Sequence, residues 1–390
     1  MIEFEYAAAL KRLPEQFFAQ LVKKTQNLIQ QGHDVINLGQ GNPDLPTPDF
    51  IVEALQRAAT HRKFHKYAPF QGFPFLKEAI ADFYQREYGV EVDPKTEVAI
   101  LFGSKTGLVE ISQCLLNAGD KVLVPDPGYP DYMSGISLAG AEAVYMPLKA
   151  ERQFLPNYQQ MAATDLEQAK LMFLNYPNNP TAAIATKAFF DETIEVAKRH
   201  HICVVHDFAY GSIGFEDSKP QSFLQSEGAK EVGVEMYTLS KSFNMAGWRV
   251  AFAIGNPSVI KALELIQDHY YVSLFGAIQM AAKEALDHGQ TAMEQLNRTY
   301  RERRDTFLQA AEAIGWKGGT AQGSFFVWMP VPKGYGSEAF ADLLLEEAHV
   351  VVAPGNGFGE TGEGFVRIGL LDEPHRLQEA CQRVGALSVF

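Results

Sequence analysis

MYTLSKSFNMAGWRVAFAIG, residues 236–255, consists of two short apolar runs with a polar turn between them. The first run ends on Thr238 and Ser240, with Lys241 directly after them; the second starts at Arg249. Runs of similar length and β-rich composition precede this segment: VAILF (98–102), KVLVP (121–125), EAVYMPL (142–148), LMFLN (171–175) and ICVVHD (202–207). Between several of them lie TGLVEISQCLLNAG, DYMSGISLAG and KAFFDETIEVAKRH, whose apolar residues recur near every 3.6 positions, as in helices packed on a sheet. Strands that are apolar on both faces imply a mostly parallel sheet covered by helices on each side, an α/β fold.

After about Pro257 the pattern turns helical, in SVIKALELIQDHYY, AIQMAAKEALDHG and AMEQLNRTYRERRDTFLQAAEAIG. Short strands then return as GSFFVWMPV, VVVAPG and FVRIGLL. This predicts a large domain over 46–285 and a smaller α+β domain built from 1–45 and 286–390.

Composition narrows the partners. A chain of 390 residues with 46% hydrophobic and 21% charged residues is ordinary for a globular protein with a sizeable core. Its formal charge of −13, without clustered Lys and Arg, argues against a nucleic-acid surface and for small-molecule partners. Cys114, Cys203 and Cys381 are far apart and show neither disulfide nor metal-ligand spacing, so no metal is expected and a reducing compartment fits. The first residues carry acids where a signal peptide needs bases, and no apolar run approaches the ~18 residues of a membrane span. A cytoplasmic chain that does not enter a membrane is expected.

In an open α/β sheet the ligand site lies at the carboxyl ends of the strands. After VAILF, Gly103-Ser104-Lys105-Thr106-Gly107 leads into a helix whose free N–H groups can cradle an anion, without the spacing of a nucleotide P-loop. After KVLVP, the rigid Asp126-Pro127-Gly128-Tyr129-Pro130 turn fixes an aromatic ring that can stack on a planar ligand. LMFLN runs into NYPNNPT, where prolines hold amide side chains in fixed directions. ICVVHD ends on Asp207, an acid in apolar surroundings that needs a cationic partner, with Tyr210 three residues on. His206 projects to the opposite face of a regular strand, where a core or surface histidine is expected. Thr238, Ser240 and Arg249 around Lys241 suggest a phosphate pocket beside an amine nucleophile.

NYPNNPT, HDFAY, TLSKSFNMAGWR and FVRIGL occur in the order and at the spacings of the class I aminotransferases of fold type I, and the chain resembles that family over nearly its whole length. The resemblance implies the fold-type I architecture, pyridoxal 5′-phosphate as cofactor, and ping-pong transfer of an amino group between an amino acid and a 2-keto acid. It makes Lys241 the Schiff-base lysine and Asp207 the partner of the pyridine nitrogen. Asn179 and Tyr210 would bond the cofactor's phenolic oxygen, and Tyr129 would stack on its ring. Ser104, Lys105 (chiefly through its backbone), Thr238 and Arg249 would hold the phosphate. Arg367 would clamp the substrate carboxylate, and Gly41 would lie over the substrate. Tyr67 matches a tyrosine lent to the neighbouring subunit's phosphate, which implies a homodimer. Ala182 departs from the usual NPTG pattern; a positive φ there would strain it.

INLGQGNPDLPTP, LNYPNNPT, HDFAYG and FNMAGWR are most similar to the methionine-salvage branch of the family, which aminates 4-methylthio-2-oxobutanoate. Between Lys261 and Lys283 there is no further Lys or Arg where dicarboxylate-specific relatives can place a second arginine, so an apolar or thioether side chain is expected. Tyr270, Tyr271 and Phe275 fit either a side-chain pocket or a core stripe. Aspartate, aromatic or diaminopimelate aminotransferases remain alternatives, as does a C–S β-lyase on the same cofactor residues. A cofactor-binding regulatory module would need a DNA-binding domain as well.

Overall fold

The computed structural model describes residues 1–14, 17–215 and 219–390. Twelve strands lie among these residues: β1 (Ile36–Asn37), β2 (Val98–Leu101), β3 (Lys121–Asp126), β4 (Glu142–Pro147), β5 (Ala169–Leu174), β6 (Cys203–Asp207), β7 (Gly233–Thr238), β8 (Ala251–Gly255), β9 (Phe326–Pro330), β10 (Val350–Val351), β11 (Ala353–Pro354) and β12 (Phe365–Gly369). Seven of them form one sheet in the order β2-β8-β7-β6-β5-β3-β4. β8 runs antiparallel to both neighbours and every other pairing is parallel, so the mostly parallel sheet expected from the apolar runs is present.

Strict alternation along each strand explains the double cover. Met172, Leu174, Val204, Tyr237 and Phe252 join one core, with Leu76, Ile80, Phe190, Ile194 and Ala281 supplied by helices. Their neighbours Leu171, Phe173, Val205, Met236 and Ala253 join the other, packed on Leu108, Ile111, Tyr132, Ile136 and Leu263. Each such large apolar side chain removed from water contributes roughly 1.5–3 kcal/mol, enough for two continuous layers to set the register of every strand.

A third core gathers Ile36 and Leu38 with Leu296, Phe307, Phe340, Leu344, Val350, Ile368 and Leu377. β1 pairs with β10, and β12 lies between β11 and β9 in a three-stranded antiparallel sheet. The chain before residue 45 therefore completes a layer made mostly by residues after 290. The helices Asp49–Ala59 and Pro74–Tyr88, for which the sequence reading names no element, cover the large sheet's first face. Among the described residues no helix is long and apolar enough to cross a membrane.

Candidate active site

A cavity of about 570 Å³ opens at the carboxyl ends of the sheet strands, a size suited to a small organic ligand. Gly41, Ser104, Lys105, Tyr129, Asn179, Asp207, Tyr210, Thr238, Lys241, Arg249 and Arg367 all line it. These are the residues singled out from the sequence, with one exception. Tyr67 is outside the cavity and 91% exposed.

One end of the cavity sets a helix N-terminus beside an arginine, a pairing that suits an anion. Gly103 holds φ at +86° and opens the helix Ser104–Leu115, whose free N–H groups carry partial positive charge. A Cβ at Gly103 would fall 2.3 Å from the Arg249 guanidinium, so a larger residue there would displace the arginine from the helix start. The Thr238 hydroxyl accepts from the Ser240 N–H at 3.1 Å and starts the short helix that presents Lys241. Lys105 turns its amine to Asp131, 2.9 Å away, leaving its backbone at the helix N-terminus.

Asp207 ends β6 and is buried. Its Oδ2 accepts from the Tyr132 hydroxyl at 3.1 Å, whereas Oδ1 is buried with no hydrogen-bond partner. Burial pushes the carboxyl up to about 6, opposed by Tyr132 and by the charges of His206 and Lys241. An orphaned acceptor facing a cavity lined with aromatic and amide groups suits a ligand that brings a protonated nitrogen.

Burial and the nearby Arg367 and Arg249 charges lower the Lys241 amine to about 8, against the pull of Asp207. It donates to the Gly41 carbonyl at 2.9 Å. An amine so lowered has a far larger neutral fraction near pH 7 than an ordinary lysine, and that fraction can act as a nucleophile or base. Arg367, on β12, reaches in from the smaller sheet: Nη1 donates to Asn179 Oδ1 at 2.7 Å, Nη2 to the Gly39 carbonyl at 2.9 Å, and the plane lies over Phe326. Its buried Nε has no partner, and burial lowers the group to about 10. Burial also raises the Tyr210 and Tyr129 phenols well above their usual value.

Asn175 ties these pieces together by donating to the Asp207 carbonyl at 2.7 Å and accepting from the Asn179 N–H at 2.7 Å. Ala182 has φ +56°, the left-handed conformation in which a Cβ is strained. Tyr132, Phe18, Asn42, Phe326 and Phe358 were not singled out from the sequence, yet Tyr132 bonds Asp207 and the other four line the cavity. Tyr132 sits in a helical pattern that reads as core, and its stacking on Phe173 makes it core as well. Tyr270 and Tyr271 instead bond Gln113 and Glu110, and neither they nor Phe275 lines the cavity.

The family described as aminotransferase class I and II matches residues 33–384. The chain is 59% identical over 389 residues to the L-glutamine--4-(methylsulfanyl)-2-oxobutanoate aminotransferase of Bacillus subtilis (strain 168), covering 100% of this chain and 98% of that protein. It is 43% identical over 378 residues to the LL-diaminopimelate aminotransferase of Moorella thermoacetica, covering 97% of each. Apo-BacF from Bacillus subtilis superposes with a TM-score of 0.95 at 50% identity, over 99% of this chain and 98% of that one.

Proposed function

The chain belongs to the aminotransferase class I and II family, and from that premise we propose that its cavity holds pyridoxal 5′-phosphate and aminates 4-methylthio-2-oxobutanoate or a similar apolar 2-keto acid. It is an aminotransferase of the fold-type I architecture. The family uses pyridoxal phosphate, and the residues present fit that group: Asp207 Oδ1 lacks a partner, an amine lies within the cavity, and Arg249 adjoins a helix N-terminus. When bound, the cofactor supplies a carbonyl carbon that condenses with amines and a ring that accepts electrons.

The chain's own groups then have distinct tasks. Lys241 is the amine that anchors the cofactor and, once released, moves a proton at the substrate's α-carbon. Asp207 keeps the ring nitrogen protonated by offering it a buried carboxylate. Asn179 and Tyr210 hold the phenolic oxygen, Tyr129 stacks on the ring, and Ser104, Lys105 (chiefly by its backbone), Thr238 and Arg249 hold the phosphate. Arg367 fixes the α-carboxylate with the edge that carries its unpartnered Nε, and Gly41 covers the substrate.

One observation carries the side-chain preference. Beyond Lys241, Arg249 and Arg367, the cation lining the cavity is Lys105, already paired with Asp131, and the wall near Arg367 is Phe18, Phe326 and Phe358. That surface suits a thioether or hydrocarbon better than a second carboxylate. The B. subtilis relative named for glutamine and 4-(methylsulfanyl)-2-oxobutanoate supports the same pair for this chain.

We propose further that the enzyme is a cytoplasmic homodimer. Tyr67, Phe70, Tyr270 and Phe275 leave apolar surface in solvent, more than a lone subunit gains from showing, and Tyr67 is then free to reach a partner's phosphate. The three unpaired cysteines suit a reducing compartment. Residues 46–285 form the cofactor domain and 1–45 with 286–390 the smaller one, a division supported by the core that joins Ile36 and Leu38 to residues after 290.

The test is a panel of 2-keto acids with glutamine as donor. 4-Methylthio-2-oxobutanoate should exceed oxaloacetate in kcat/KM by at least about 100-fold, the discrimination expected when a carboxylate must enter an apolar pocket. Preference for oxaloacetate would refute the apolar assignment. Release of pyruvate from cysteine conjugates without an acceptor would point to the β-lyase instead.

A further inference from the structure

Asp207 is preceded by His206, whose side chain enters the opposite core. In the parallel register His206 lies directly beside Glu235 on β7, and both side chains are fully buried. The ring packs among Phe190, Phe208 and Phe223.

Hydrogen-bond accounting fixes the charge of this pair. His206 Nε2 lies 3.1 Å from the Tyr176 carbonyl, which can only accept, so Nε2 bears a hydrogen. Nδ1 is 2.7 Å from Glu235 Oε2, and one proton lies between them. Glu235 Oε1 already accepts from the Tyr84 hydroxyl at 2.8 Å and the Ser222 hydroxyl at 2.6 Å, and Oε2 accepts from the Phe223 N–H at 2.8 Å. Donors converging on both oxygens favour the carboxylate, so the proton resides on the imidazole. A dry ion pair is expensive, and an apolar pair of the same shape is often as stable, so stability alone is a weak reason for placing one here.

We propose that His206, held as an imidazolium by Glu235, is a positioning residue that acts through Asp207, keeping its carboxylate ionised so that it can hold a protonated ring nitrogen. The two residues share a peptide bond, and in a low-dielectric interior a charge at that separation is felt strongly. Burial drives Asp207 toward the neutral acid, and the groups opposing it are Tyr132, His206, the Ala209 N–H and Lys241. Lys241 would no longer offer a free ammonium once it anchors the cofactor. The imidazolium stays among the groups that oppose burial, with its counter-charge Glu235 on the neighbouring strand β7. The same ring's bond to the Tyr176 carbonyl steadies the loop that leads to Asn179.

This inference rests on the cofactor reading, and the experiment separates the two. The 15N chemical shift of ring-labelled pyridoxal phosphate bound to the holoenzyme should report a protonated nitrogen. In His206→Gln and Glu235→Gln it should move toward the neutral pyridine value, with cofactor dissociation about ten-fold faster, the equivalent of one pH unit in Asp207 ionisation. Tyr84→Phe and Ser222→Ala each remove one donor that favours the Glu235 carboxylate, and should move the ring shift in the same direction but by less. A folded His206→Gln protein with the parental shift would overturn the proposal. So would a neutral His206 ring in the 15N spectrum of the parent, a measurement that needs no variant to fold. A folded parent that retains no labelled cofactor would overturn the cofactor reading itself, and this inference with it.

Discussion

Asp207 is a buried carboxyl that the folded chain holds at a cost in stability. Burial penalises the charge and pushes its carboxyl up to about 6 in the folded chain, from an ordinary 3.8. A raised carboxyl favours the folded state while protonated and costs stability once ionised, so the cost appears as pH rises from about 4 to 6 and stays constant above that. The difference corresponds to roughly 3 kcal/mol. Asp207→Asn should therefore stabilise the cofactor-free protein above pH 7 by a few kcal/mol while abolishing transamination. Thermal unfolding at pH 8 and at pH 4 checks this, with the gain shrinking at the lower value; an equal gain at both would contradict it. At this scale the strand-end residues were legible, because an acid, an amine or an amide after an apolar run contrasts with what precedes it. Tyr132 and Phe358 were not, since an aromatic in a helix or loop pattern carries no sign that it turns toward a cavity.

At the scale of elements, the proposed phosphate site depends most on the strand-to-helix turn at Gly103. Its positive φ and the closeness of Arg249 leave no room for a side chain. Gly103→Ala should weaken pyridoxal phosphate binding by at least about ten-fold, the loss of one good charge-assisted contact, with the fold retained. Equilibrium titration of the cofactor measures this, and parental affinity would show that the turn does not hold the phosphate. The strands around this turn were readable from their alternation, whereas the two-residue β1 was not, because its only pairing is with β10, more than 300 positions away. Ala182 stands between these cases. The departure from glycine is visible in the sequence, and its φ of +56° shows that the position does require the strained conformation.

For the whole molecule, the proposed homodimer makes the origin of each piece of the cavity testable. The cavity collects residues from the chain's beginning, its large sheet and its last sheet. Tyr67 is the piece that a single chain leaves in solvent. Mixing Lys241→Ala subunits with Tyr67→Phe subunits should restore up to one fully competent site per hybrid dimer, since one subunit lends its tyrosine to the other's intact lysine. Activity of the mixture no greater than the average of the two parents would refute the shared site. The fold class was legible at this scale from apolar patterning alone, and so was the joining of 1–45 to the residues after 286, because the first stretch has no sheet of its own; the lending of Tyr67 to a second subunit came only from the family resemblance.

Lys241 is the amine proposed to anchor the cofactor. Borohydride reduction of the holoenzyme followed by peptide mapping should place one pyridoxyl group per chain on Lys241, while Lys241→Ala should still bind pyridoxal phosphate but retain none after reduction and denaturation. Label on another lysine, or equal labelling of the variant and its parent, would contradict it.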